Sequence, residues 1–396
     1  MTRRFRTRAV HAGEKPDAVT GASSPNIVMS STFAHEEPLG FSINSFEGES
    51  PFIYSRWSNP TTKQLEGKLA DLEEAEECLT FSSGMAATSA VLLSILSSGD
   101  HLVISNVNYP GTAELVRESL PRMGIEFTAV DTSDLDMVEK AIKPNTRLVW
   151  VETPANPILR LTDIESVAEI AHSRNALLAV DSTFATPVAT RPINKGADLV
   201  IHSLTKYICG HGDALGGAVL GRKDTLEVIR QEATVHFGGV ISPFNAWLIM
   251  RGVATLPIRM QAHENTAMDI AKWLLEDSKA QSVCYPGLPN HPQHDLAQRQ
   301  MDNYGGVLSF TVPGGESLAR KLAKSLELVH YAVSLGHHRS LIYYLNTSEL
   351  NSSSFHLEGM ELEKYRAVAG EGLFRISVGL EDSADIINDL STVLGR

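Results

Sequence analysis

One lysine stands where chemistry is done in many α/β enzymes. Residues 199–213 read LVIHSLTKYICGHGD, in which Leu199–His202 predicts a strand, followed by Ser203, Thr205 and Lys206 and then a glycine-bearing loop. Open α/β sheets bind their ligands beyond the carboxyl ends of the strands. An amine at that place faces a ligand, and two hydroxyls within three positions of it suit a phosphate; the other reading is a surface lysine at a strand–loop junction. Upstream, LLAVDSTFATP carries four apolar residues into Asp181. A carboxylate at a strand's end can pair with a protonated pyridine nitrogen and keep such a ring cationic and electron-withdrawing, although an Asp before Ser and Thr is also an ordinary cap. At residues 81–88, FSSGMAAT sets a strand, two serines, a glycine and a helix start in order. Helix N-termini offer free N–H groups to phosphate, but any strand-to-helix turn has the same outline. Gly210, Gly212, Gly216 and Gly217 imitate a dinucleotide loop at the wrong spacing, after the lysine and not at the opening of a strand–helix–strand unit. In FIYSRWSNPT, Tyr54 and Arg56 lie two apart in a stretch expected to be extended, so both project to one side. Such a pair can hold a phosphate, in its own subunit or in a neighbour's.

These residues need a scaffold, and the periodicity supplies one. Residues 1–60 are rich in Ser, Gly, Pro and Asn and read as an extended arm. From Thr61 the pattern alternates. Thr61–Glu76 predicts a helix with Leu65, Leu69 and Leu72 on one face. Strands are expected at Cys78–Phe81, His101–Ser105, Ile125–Val130, Leu148–Glu152, Leu177–Asp181, Leu199–His202 and Ala218–Leu220. Helices fall between them at Gly84–Leu96, Thr112–Met123 and Ile164–His172. Alternation of this kind predicts an α/β fold with a mostly parallel sheet covered on both faces, here over residues 61–250. Residues 251–396 predict a smaller α+β domain, with a long helix at Ala262–Ser278 and further elements at Val307–Val312, Ser317–Glu327 and Leu373–Val378.

Composition narrows the function. The chain has 396 residues, 43% of them hydrophobic and 20% charged, as in globular enzymes, and a net charge of −13. That charge speaks against nucleic acid and against an anionic membrane surface, both of which call for clustered Lys and Arg. No apolar run reaches the length of a membrane span. The basic start, MTRRFRTR, has no apolar region after it and is expected to be an ordered arm or a frayed terminus instead of a secretory signal. Three cysteines, Cys78, Cys209 and Cys284, make no disulfide framework and suit a reducing cytoplasm.

Taken together, YSRWSNPT, SSGMAA, VDSTFATP, HSLTKYICGHGD and FRISVGLED resemble the Cys/Met-metabolism group of pyridoxal-phosphate enzymes, over about residues 8 to 385. That group includes cystathionine γ-synthase, cystathionine γ-lyase, cystathionine β-lyase and methionine γ-lyase. The resemblance implies an aspartate-aminotransferase-type fold (fold type I) and pyridoxal 5'-phosphate as cofactor. It implies that Lys206 carries the cofactor, that Asp181 pairs with its ring nitrogen, and that Gly84, Met85, Ser203 and Thr205 hold its phosphate. Tyr54 and Arg56 would complete the phosphate site from a neighbouring subunit, within a homotetramer of two active dimers. Tyr109 would stack on the ring and move protons, Asn156 and Thr183 would line the cofactor, Ser334 would position Lys206, and Arg375 would bind the substrate's α-carboxylate.

Three stretches depart from that pattern. Methionine γ-lyases usually carry a cysteine two residues after the tyrosine, where this chain has Gly111. Cystathionine enzymes tend to have an acidic residue where this chain has Arg339, in the basic stretch His337-His338-Arg339. Adjacent histidines do not face one site easily, so no metal is expected; His291–His294 is expected to be a surface loop. The family's His-Pro-Ala-Ser-Met-Thr-His-like stretch is replaced by YYLNTSELNSSSF at Tyr343–Phe355. The activity expected is γ-elimination from an amino acid such as methionine, a homocysteine or homoserine derivative, or canavanine, whose guanidinium would meet Glu47 or Glu49 of the arm. γ-Substitution with a thiol or water is the alternative, and β-elimination stands behind both.

Overall fold

The computed structural model describes residues 3–36, 52–276 and 279–395. Seven strands build the larger sheet: β1 (Glu77–Phe81), β2 (His101–Ser105), β3 (Glu126–Val130), β4 (Thr146–Glu152), β5 (Leu177–Asp181), β6 (Leu199–His202) and β7 (Gly217–Gly221). Their order is β1-β7-β6-β5-β4-β2-β3. Strand β7 runs antiparallel to both its neighbours, and all other pairs are parallel. The central strands read as unbroken apolar runs because both faces are covered. Val149, Val151, Val180 and Val200 enter one buried cluster. Leu148, Trp150, Ala179 and Ile201 enter the other, on the opposite face.

Local chemistry starts the helices where it is needed. Helix Pro60–Glu73 begins at Asn59, whose side chain accepts the Thr61 N–H at 2.8 Å, and Pro60 occupies the first position, where no N–H is missed. Leu65, Leu69 and Leu72 are buried as its periodicity required. Helix Gly84–Ile95 begins at Ser83, whose hydroxyl accepts the Ala86 N–H at 3.1 Å.

The second sheet contains β8 (Ser282–Cys284), β9 (Val307–Thr311), β10 (His330–Tyr331), β11 (Leu341–Asn346) and β12 (Gly372–Ser377), in the order β10-β11-β12-β9-β8. A cluster containing Phe310, Ile342, Phe374 and Ile376 packs it against helices Leu256–Glu276, Gly315–Ser325 and Ser383–Leu394. The long helix starts at Leu256, earlier than the expected Ala262; Pro257 falls in its first turn, where proline is tolerated.

Three expectations need correction. The arm is not extended throughout: Phe5–His11 is a helix. Tertiary contacts hold so short a helix. Ala9 is fully buried, Arg8 Nε and Nη1 each donate at 2.8 Å to Asp71 and Glu74, and Lys68 Nζ donates to the carbonyls of Ala9 and Val10. Tyr54 closes an extended stretch, bridged antiparallel to Thr32, but Arg56 does not continue it: the Trp57 N–H donates to the Tyr54 carbonyl at 2.9 Å and closes a turn. Nor is His291–His294 a surface loop. His291 is buried, and the Gln293 side chain accepts the Leu161 N–H at 2.7 Å and donates to the Leu161 carbonyl. Leu161 lies in no strand, so its N–H and C=O need other partners, and the Gln293 side chain supplies both from 132 positions away. Glu47 and Glu49 lie outside the described residues.

Candidate active site

Strands β4, β5 and β6 end together, with Glu152 beside Asp181 and Asp181 beside Ile201. Lys206 follows β6 in a turn in which its N–H donates to the Ser203 carbonyl at 3.1 Å. Its Nζ donates to Ser334 Oγ at 2.8 Å, across 128 positions of sequence. Burial, and after it the charge of Arg375, lowers Lys206 from 10.5 to about 8. Ser334 adopts a φ of 91°, a conformation that costs free energy in a non-glycine residue and needs its surroundings to hold it. Those surroundings are tight: a Cβ at Gly336 would come to 2.5 Å from the Tyr207 N.

On the β5 side, Asp181 Oδ1 accepts the Thr183 N–H at 3.0 Å, and Thr183 Oγ1 accepts the Ser203 N–H at 2.8 Å. Burial pushes the Asp181 carboxyl above the usual carboxylate range. Gly84 meets Ser203 so closely that a Cβ there would lie 2.8 Å from the serine Cβ. The two turns expected to hold a phosphate therefore converge. Thr205 belongs to the same turn, and its hydroxyl both donates to and accepts from the backbone of Gly216.

The end of β4, next to Asp181, holds the residue that the sequence reading missed. Glu152 is 4% exposed, and its two oxygens each accept one backbone N–H at 2.7 Å, from Tyr109 and from Asn156. Burial, then Asp181, pushes its carboxyl up, against the pull of those N–H groups and of Arg375. Its signal was present: VWVETP ends an apolar run in an acid, as LLAVD does. Asn156 Oδ1 accepts from Arg375 Nη1 at 2.7 Å, while Arg375 Nη2 donates to the Ser334 carbonyl at 3.1 Å. Arg375 is pushed down by burial to about 10 and stays cationic at neutral pH. Tyr109 is 46% exposed beside Met85, and a Cβ at Gly111 would lie 2.7 Å from its ring and 3.2 Å from the Met85 Sδ.

The structure thus brings together Lys206, Ser334, Arg375, Asn156, Glu152 and Tyr109, with Asp181, Thr183, Ser203, Thr205, Gly84 and Met85 alongside. Tyr54 and Arg56 are held elsewhere in the chain. Arg56 lies over the Tyr54 ring at 5.2 Å and donates to the Val235 carbonyl. The His337 ring packs on Gly212, and burial, then Lys206, lowers its affinity for a proton. The His338 ring lies 5.9 Å from that of His211. Among the described residues no group of three or more His, Cys, Asp or Glu side chains is placed to hold a metal ion. The departing stretch Tyr343–Phe355 supplies most of β11 and docks on the segment that follows Tyr109: Ser354 Oγ donates to Glu114 at 2.7 Å, and Arg117 Nε donates to the Ser354 carbonyl at 2.9 Å.

The model of the family described as Cys/Met metabolism PLP-dependent enzyme matches residues 6–395. The canavanine γ-lyase of Pseudomonas canavaninivorans is 42% identical over 392 residues, covering 98% of this chain and 95% of that protein. The cystathionine γ-synthase of Mycobacterium tuberculosis is 42% identical over 389 residues, covering 98% and 96%. The crystal structure of metB from Corynebacterium glutamicum superposes with a TM-score of 0.89 at 39% identity, covering 99% of this chain and 98% of that one.

Proposed function

Because this chain belongs to the Cys/Met-metabolism family of PLP-dependent enzymes, we propose that it catalyses γ-elimination from an amino acid bearing a leaving group on Cγ. The residues present fit the cofactor. Asp181 is a carboxylate that burial has made costly to ionise, and a cationic ring nitrogen against it would offset that cost. Lys206 would carry pyridoxal phosphate, and Gly84, Met85, Ser203 and Thr205 would hold its phosphate, with Tyr109, Asn156 and Thr183 lining it. Bound there, the cofactor is an electron sink that acidifies hydrogens on the substrate's α- and β-carbons.

The chain's own residues supply the remainder. Arg375 presents a guanidinium to the substrate α-carboxylate, a geometry suited to two parallel hydrogen bonds. Lys206 Nζ, brought near neutrality by burial, accepts a proton from carbon and returns it, and Ser334 Oγ aims its lone pair. The half-exposed Tyr109 would pass a proton to the departing group. The observation that carries this reading is the continuous contact from Arg375 through Ser334 to Lys206, which sets the carboxylate anchor and the proton carrier at a fixed separation.

Tyr54 and Arg56 are assigned to the phosphate of a neighbouring copy, so the working unit is a dimer or a tetramer of two such dimers. Three free thiols suit a reducing cytoplasm. Among the described residues no helix is long and apolar enough to cross a membrane. The second reading, γ-substitution, is favoured by the equal identity to a cystathionine γ-synthase. One incubation separates the two. Purified protein is given methionine, cystathionine, canavanine, and O-acetylhomoserine with and without thiol, and 2-oxobutanoate, ammonia and homoserine are scored. Elimination yields a 2-oxo acid and ammonia. A new amino acid without them would move the assignment to substitution, and no turnover of any substrate would sink both.

A further inference from the structure

The acid at the end of β4 has no role in the reading above. We propose that Glu152 is a positioning residue that sets two substrate-facing side chains at once, Tyr109 and Arg375, through the two backbone N–H groups its carboxylate holds. This rests on the active-site reading and adds to it.

The geometry is specific to a carboxyl group, which can offer a lone pair on each of its two oxygens. Oε2 accepts the N–H of Tyr109 itself, at the entry to the segment Pro110–Glu114. Oε1 accepts the N–H of Asn156, whose side-chain oxygen in turn accepts from Arg375. Arg375 continues to the Ser334 carbonyl, and Ser334 Oγ accepts from Lys206. One connected path therefore runs from Glu152 through Asn156, Arg375 and Ser334 to Lys206, crossing from the larger sheet to the smaller and back. A separate branch runs from Glu152 to Tyr109. Both branches need an acceptor on both oxygens, since each partner is an N–H donor. An amide at this position presents an NH2 group to one of them, so that two donors face each other at a residue only 4% exposed. Glu152 is also fixed where it stands, because β4 pairs in register with β5 and places it against Asp181. No rotation of the loop could substitute another side chain for it.

The test is Glu152→Gln in the holoenzyme, read in three ways. Loss of one buried acceptor to a backbone N–H is expected to weaken positioning by about 5- to 100-fold. If the donor left unpaired is that of Asn156, the change falls on KM, through Arg375; if it is that of Tyr109, it falls on kcat. The circular dichroism of the cofactor band reports the Tyr109 ring without any turnover. A spectral titration with L-alanine, which has the α-carboxylate and no group to lose from Cγ, reports the grip of Arg375 without any elimination. Asn156→Ala cuts the branch to Arg375, so it should weaken L-alanine binding, and parental L-alanine affinity in it would overturn that branch. A folded Glu152→Gln protein with parental KM, kcat, dichroism and L-alanine affinity would overturn the proposal. If that variant does not accumulate, Glu152→Asp carries the test: it keeps both oxygens and withdraws them by one methylene, and parental values in it overturn the proposal equally. Absence of any γ-elimination in the parent protein would remove the activity reading but leave the dichroism and L-alanine readouts to decide the role of Glu152.

Discussion

Replacing Lys206 by Met removes an amine that the fold keeps from its ordinary protonation. Burial and Arg375 lower it from 10.5 to about 8. A difference of that size, at about 1.36 kcal/mol for each pH unit, is about 3 kcal/mol. The sign follows from proton counting. Between pH 8 and 10.5 the unfolded chain keeps its lysine proton while the folded protein has released it, so stability rises with pH through that window. Below pH 8 both states hold the proton and the folded state bears the full cost; above 10.5 neither does and the cost is gone. Urea denaturation of the cofactor-free protein, run in steps from pH 7 to 11, is the assay. Other groups titrate in this range, so the quantity of interest is the difference between parent and Lys206→Met. Met fills about the same volume without a charge. The variant should be the more stable of the two at pH 7 to 8, and the gap should close by about 3 kcal/mol toward pH 10.5. Parallel curves for the two proteins would refute the claim that the site suppresses the charge on Lys206. The same suppression leaves roughly a tenth of the amines neutral at pH 7, against less than about one in a thousand for free lysine, and this is the fraction able to attack an aldehyde.

Arg375→Lys keeps the charge but loses the planar fork, and with it one of two charge-assisted bonds to the substrate carboxylate. About 1.5 to 3 kcal/mol is at stake, so KM should rise by about 10- to 100-fold with a smaller change in kcat, and steady-state kinetics showing KM within twofold would contradict the assigned role. For the neighbouring-copy assignment, Arg56→Ala and Lys206→Ala should each be nearly inactive alone. Subunits of the two, mixed and reassembled, should regain about a quarter of parental activity, since half the dimers are mixed and each of those has one intact site; activity measured on the mixture that stays at the level of the separate variants would return Tyr54 and Arg56 to their own subunit.

Much of the scaffold was legible because parallel strands covered on both faces must be continuous apolar runs. Strands β2, β5 and β6 have the bounds that their sequences required. Each of these runs into a polar residue where the sheet stops, and that is how Asp181 and the turn bearing Lys206 were visible. The helix Phe5–His11 was not, because its seven residues carry little helical preference of their own and are held by Asp71, Glu74 and Lys68, far along the chain. The turn at Tyr54 was hidden for a similar reason: its hydrogen bonds are local, but the Arg56 guanidinium is held by a carbonyl 179 positions away.

The sequence by itself determined the residue types, the strand ends on which they stand, and the family in which that combination occurs. The resemblance linked Ser334 to Lys206, 128 positions apart, but nothing in the sequence said that Arg375 reaches Asn156 across 219 or that Glu152 holds two N–H groups 43 and 4 positions away. Periodicity reports which face of an element is buried. It is silent on which two buried faces meet, because that depends on the packing of the two sheets against each other. At this site the packing also decides the charge states, since it is burial beside Arg375 that lowers the lysine and burial beside Asp181 that raises the acid.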